Sequence, residues 1–214
     1  MDQTEEPVAA VYAGEGAVLF SDVAYALEIL GISYATVNHD EVRNGDLSRF
    51  QVMLVPGGYT QQYMPALGDK GREEIRSFIR SGGGYIGICA GAYIATGTVQ
   101  VPGNQKGLDI IDIENTRKSG RGKRKIHLEE HPITEGLDKE LKIYYQNGPD
   151  ITPGKDVQEI ARYKNGSCAA VSGHFGEGKV VIFSPHPEAS ISQGIEPIPE
   201  TLRLLKNSID FCRP

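Results

Sequence analysis

The chain has 214 residues, 39% of them hydrophobic and 23% charged, with 22 basic against 28 acidic side chains and a net charge of −6. A chain this long buries roughly 70% of the surface it exposes when unfolded, so it folds without a disulfide or metal staple. The acidic balance disfavours general nucleic-acid binding, and the composition excludes disordered and fibrous classes.

Three cysteines, Cys89, Cys168 and Cys212, cannot build a disulfide framework, and no Cys/His spacing suggests zinc; neither metal nor cofactor is expected. The start, MDQTEEP, is acidic where a signal peptide needs basic and then apolar residues, so the expected location is cytoplasmic. Residues 82–105 carry no charge, but the glycines and Pro102 within them argue for a turn-rich buried segment rather than a membrane span.

In chain order, Val8 to Tyr12 reads as a buried strand that ends in the loop Ala13 to Gly16. A helix is expected from Asp22 to Leu30, capped by Ser21, with Val23, Ala26, Leu27 and Leu30 on one face. Tyr34 to Val37 and Val52 to Val55 read as strands, and Gly71 to Arg80 as a helix stopped by Gly82-Gly83-Gly84. Tyr85 to Cys89 is a fourth strand. This alternation predicts an α/β fold, a parallel sheet with helices on both faces. The second half is β-rich: Leu108 to Glu114, Lys125 to Leu128, Lys142 to Tyr145, Val157 to Tyr163, Cys168 to His174 and Lys179 to Phe183 are all strand-like. Thr201 to Phe211 supplies a closing helix, and no linker divides residues 1–214 into two domains.

Three strand ends carry chemistry. In Tyr85-Ile86-Gly87-Ile88-Cys89-Ala90-Gly91, an apolar strand runs into Gly-x-Cys-x-Gly, the cysteine counterpart of a nucleophile elbow. Such a turn strains the nucleophile's backbone and excludes β-carbons two positions away. It leaves Cys89 at a helix N-terminus, which favours a thiolate, and aims the Ala90 N–H at a developing oxyanion. In Phe183-Ser184-Pro185-His186-Pro187-Glu188, a buried strand delivers His186 as a base and Glu188 as its orienting carboxylate. Val55-Pro56-Gly57-Gly58 lets backbone N–H groups approach a ligand. The alternatives are a buried core cysteine, a surface loop and an ordinary turn. The three together, each at the carboxyl end of a strand, fall where open α/β sheets bind ligands.

GICAG, SPHPE and VPGG in that order resemble the class I glutamine amidotransferase-like superfamily. GGGYIGICAGAY and YYQNGPDI are more narrowly similar to stand-alone proteins related to the N-terminal domain of biotin–protein ligases. The resemblance runs from Val8 to about Ala189. It implies a flavodoxin-like sheet, a Cys89, His186 and Glu188 triad, and an oxyanion hole made by the Gly58 and Ala90 N–H groups. Glutamine-hydrolysing members carry Gly-x-Cys-Leu-Gly-x-Gln, whereas Ala90 and Tyr93 stand at the matching positions here, so glutamine recognition is not implied.

Candidate pocket residues are Gly57, Tyr59, Tyr93, Tyr145 and Asn147, with Glu15 reaching in from the first loop and Tyr144 beside Tyr145. Arg117 to Lys125 places six basic residues in nine, which reads as a mobile loop able to hold an anion. Cys168, Cys212, His39, His127, His131 and His174 read as inert, structural or exposed. Three functions fit: a cysteine-nucleophile amide hydrolase or amidotransferase-like enzyme of unknown substrate, a catalytically silent metabolite-binding module, or a glutaminase-type subunit of a separate synthetase. The expected partner is a small molecule, with no nucleic acid or membrane and a possible homodimer.

Overall fold

The computed structural model describes residues 7–188 and 191–214. The acidic start Met1–Glu6 and Ala189, where the resemblance ends, lie outside the described residues.

The first half runs β1 (Ala9–Tyr12), α1 (Phe20–Leu30), β2 (Tyr34–Val37), α2 (His39–Arg43), β3 (Val52–Val55), α3 (Thr60–Arg80), β4 (Gly84–Ile88) and α4 (Ala90–Ile94). The second half runs β5 (Thr98–Val99), β6 (Gln105–Lys106), β7 (Ile113–Thr116), β8 (Arg121–Leu128), β9 (Glu140–Gln146), β10 (Asp150–Pro153), β11 (Gln158–Tyr163), β12 (Cys168–Phe175), β13 (Gly178–Phe183) and α5 (Pro199–Cys212). One sheet has the order β2-β1-β3-β4-β13-β12-β11-β8-β9, with β10 pairing β12 and β7. Its first five strands are parallel and the next four pair antiparallel. That parallel order is the flavodoxin-like one.

The apolar runs AAVY, VMLV and GYIGI are buried throughout because both sheet faces are covered. On one face Tyr12, Met53, Tyr85 and Ile182 pack with Tyr63, Leu67, Ile75 and Ile79 of α3. On the other, Val11, Leu54, Ile86 and Phe183 meet Val23 and Leu27 of α1 and Leu205 and Ile209 of α5. No helix among the described residues is long and apolar enough to cross a membrane, and the charge-free stretch folds as β4, α4 and the β5–β6 turn.

Four expectations need correction. Helix α1 starts at Phe20 rather than Asp22, and Ser21 is no cap: the buried Leu19 holds that place, its N–H pinned to the Gly57 carbonyl. Helix α3 begins at Thr60 instead of Gly71, since it passes Pro65 and continues across a break at Gly68, where φ is 61°. Of Leu108 to Glu114, only Ile113 and Glu114 lie in a strand. The N–H groups of Leu108, Asp109 and Ile110 bond to carbonyls of Ile94, Thr96 and Ala95, and Arg76 takes the carbonyls of Leu108 and Asp109. The basic segment is not a loop beyond Gly120: Arg121 to Lys125 are strand β8, paired residue by residue with β9. Strand geometry lets most of its cations face water while Ile126 and Leu128 turn inward.

Candidate active site

Strands β3, β4 and β13 end side by side, bringing Gly57-Gly58, Cys89 and His186 together at one sheet edge. The elbow is physically specified. Cys89 sits at φ 53°, ψ −99°, a conformation that side chains rarely adopt and that costs about 1–3 kcal/mol. A β-carbon at Gly87 would come within 2.6 Å of the Gly91 carbonyl oxygen, and one at Gly91 would collide with the Val55 carbonyl. Only glycine on both sides allows α4 to press this close to the sheet. Among the described residues, neither the Ala90 nor the Gly58 N–H has a hydrogen-bond partner.

His186 is held from behind. Its Nδ1 lies 2.8 Å from Glu188 Oε1, with both side chains almost wholly removed from water. Its backbone N–H donates to the Tyr144 carbonyl at 2.8 Å, and the Tyr144 ring sits 5.9 Å from the imidazole. Burial alone would lower the imidazolium pKa. The Glu188 charge and hydrogen bond, together with the neighbouring Cys89, outweigh it and hold His186 well above the usual histidine value.

His186 Nε2 is buried without a hydrogen bond of ordinary geometry, and the Cys89 thiol donates instead to the Gln146 carbonyl at 3.4 Å. The two groups are nonetheless neighbours. A β-carbon placed on Gly57 would lie 3.0 Å from His186 Cε1 and 3.4 Å from Cys89 Cβ. Rotation of the thiol away from Gln146 toward Nε2 would exchange one partner for the other.

Cys89 and His186 open into a cavity of about 460 Å³ that Gly58, Tyr59, Tyr93 and Asn147 also line. Gly57 backs it. Tyr93 is tied across the pocket by donating to the Asn147 carbonyl at 3.2 Å, and burial pushes its phenol up to about 12. Asn147 itself sits at φ 53°.

Glu15 and Tyr145 do not line the cavity. Glu15 is exposed because its loop turns toward His39, whose Nδ1 accepts the Glu15 N–H at 3.4 Å. Tyr145 points into the core, donates to the Gly148 carbonyl at 2.8 Å and packs edge-on against Tyr163. Gln61, Gln100 and Gln146 also line the cavity, arriving from the first turn of α3, the segment after β5 and the end of β9; no chemistry in the sequence singles them out. His131 is a buried structural residue, bonded through Nε2 to Ser172 Oγ at 2.8 Å. No group of three or more possible metal-ligating side chains occurs among the described residues.

Residues 9–118 match the family model "Biotin-protein ligase, N terminal". Among curated proteins, the chain is 29% identical over 165 residues to "Pyridoxal 5'-phosphate synthase subunit PdxT" of Koribacter versatilis, covering 76% of this chain and 79% of that one. It is 30% identical over 198 residues to "Phosphoribosylformylglycinamidine synthase subunit PurQ" of Prochlorococcus marinus, covering 81% and 85%. Among solved structures, PurLQS from Thermotoga maritima superposes with a TM-score of 0.75 at 20% identity, over 96% of this chain and 99% of that one. The chain belongs to the class I glutamine amidotransferase-like superfamily, within the biotin–protein ligase N-terminal family.

Proposed function

We propose that residues 1–214 form one amidotransferase-like domain that cleaves the C–N bond of an amide through Cys89. The observation that carries this reading is the arrangement of a strained cysteine beside a histidine whose far nitrogen is 2.8 Å from a buried carboxylate. His186 takes the thiol proton at Nε2, and Sγ bonds to the carbonyl carbon. The Gly58 and Ala90 N–H groups receive the developing oxyanion. The tetrahedral intermediate collapses as His186 returns the proton to the leaving nitrogen, releasing ammonia or an amine and leaving a thioester. Water, deprotonated by His186, then releases the acid and frees Cys89. Glu188 holds the ring orientation and offsets the imidazolium charge throughout.

A second reading is a glutaminase-type subunit that works with a separate synthetase. The relatives above are named as subunits. The resting thiol is turned to Gln146 rather than to His186, and Val18 and Tyr59 at the cavity mouth are 50% and 58% exposed. Docking of a protein partner over that mouth would supply the rotation.

The test is ammonia release from a panel of primary amides, glutamine included, by wild type and Cys89→Ala. Release that Cys89→Ala abolishes supports the reading. Release unchanged by Cys89→Ala contradicts it.

A further inference from the structure

The chain carries a net charge of −6, yet among the described residues no acidic side chain lines the cavity at Cys89. The charged groups facing it, besides His186, are Arg117 and Lys118. Lys118 is already neutralised, its Nζ 2.6 Å from Asp150. Arg117 has no ion pair and no hydrogen bond among the described residues, and it is close enough to pull the Tyr93 phenol pKa down against the upward push of burial.

The segment that presents Arg117 is fixed in place. The Lys118 N–H donates to the Tyr93 hydroxyl at 3.4 Å. Gly120 and Asn147 are cross-bonded, the Gly120 N–H to Oδ1 at 2.9 Å and the Asn147 N–H to the Gly120 carbonyl at 2.8 Å. The guanidinium thus starts from an anchored wall of the pocket, which lowers the entropy cost of engaging a ligand.

We infer that Arg117 selects an amide whose far end carries an anion, a carboxylate or phosphate group, and which lacks an ammonium group beside it. An unpaired guanidinium matches such an oxyanion in charge and fork geometry. A neighbouring ammonium would meet Arg117, Lys118 and neutral amides and hydroxyls such as Gln61, Gln100 and Ser119, with no carboxylate lining the cavity to compensate its desolvation. A dicarboxylic-acid monoamide fits these terms, and zwitterionic glutamine fits them less well. The inference rests on the reading of Cys89 as a nucleophile facing this pocket.

The experiment measures Cys89 alkylation by iodoacetate and by iodoacetamide, reagents that differ in charge, in wild type, Arg117→Gln and the hairpin-turn control Lys164→Ala. The iodoacetate-to-iodoacetamide rate ratio should fall about three- to tenfold in Arg117→Gln, stay unchanged in Lys164→Ala, and shrink in wild type as salt rises. Glutaramic acid and inorganic phosphate are then tried as protectants against iodoacetamide. Protection by the former assigns a carboxylate; protection by the latter alone assigns a phosphoryl group. A ratio indifferent to Arg117→Gln, or protection by neither anion, would overturn the inference. Failure of the nucleophile reading shows separately, as alkylation indifferent to His186→Ala.

Discussion

Glu188 and His186 form a buried ion pair two residues apart in sequence, with 2.8 Å between Oε1 and Nδ1 and about 1% of either residue exposed. Such a pair contributes little net stability when intact, but removing one member strands the other. Glu188→Ala should therefore destabilise the fold by about 3 kcal/mol at pH 6, read by urea denaturation. The effect depends on pH with a defined sign. The folded His186 value lies well above 6.5, so the contribution of the pair is complete below about pH 6.5 and is lost as pH rises through the folded value. The difference between wild type and Glu188→Ala should shrink from pH 6 toward alkaline pH; a difference that widens would contradict the pairing.

Three glycines around the site should respond differently to alanine. A β-carbon at Gly58 or Gly91 would run into a backbone carbonyl, of Gly16 and Val55 respectively, and neither carbonyl can swing aside as a side chain can. Gly58→Ala and Gly91→Ala should each lose about 3 kcal/mol or more. At Gly57 the nearest atom is His186 Cε1 at 3.0 Å. That variant should unfold closer to wild type while its Cys89 alkylation slows, because the imidazole is pushed. Equal thermal losses at all three positions would argue against this packing.

The positive φ at Cys89 reverses an ordinary ranking. Glycine in a regular element is less stable than alanine by about 0.5–1 kcal/mol, because it loses more backbone freedom on folding. At φ 53°, ψ −99°, alanine keeps the β-carbon strain and glycine does not. Cys89→Gly should thus be more stable than Cys89→Ala by about 1 kcal/mol, although both abolish alkylation at this position. The usual order, Ala above Gly, would mean that the elbow is unstrained.

The parallel half of the fold was legible because its central strands β1, β3 and β4 are short apolar runs buried on both faces, with glycine in the turns that follow them. Cys89, His186 and Gly58 were legible for the same reason, since each follows such a run directly. Helix α3 was half hidden: Pro65 and Gly68 interrupt the periodicity, and only packing of Tyr63, Met64 and Leu67 against the sheet carries the helix through them. Helix α2 has five residues, too few to show a period, although the Asn38–Glu41 capping box marks its start. Arg121 to Lys125 read as a loop because composition says nothing about partners; strand β9 makes it a strand. Glu15 and Tyr145 show the limit for the site. Both lie near the relevant sheet edge in sequence, but which way a side chain turns is set by contacts with His39 and Tyr163 that lie far along the chain.

The central claim, that Cys89 and His186 act as a coupled pair, is tested most directly by alkylation followed by peptide mass spectrometry, in wild type and His186→Ala across pH 6 to 9. Burial pushes the Cys168 and Cys212 thiols up to about 12, so Cys89 should be the cysteine labelled in the folded protein. Its labelling should persist at pH 6 in wild type and slow by about tenfold or more in His186→Ala. A Cys89 rate indifferent to His186, with the pH dependence of an ordinary free thiol, would contradict the account.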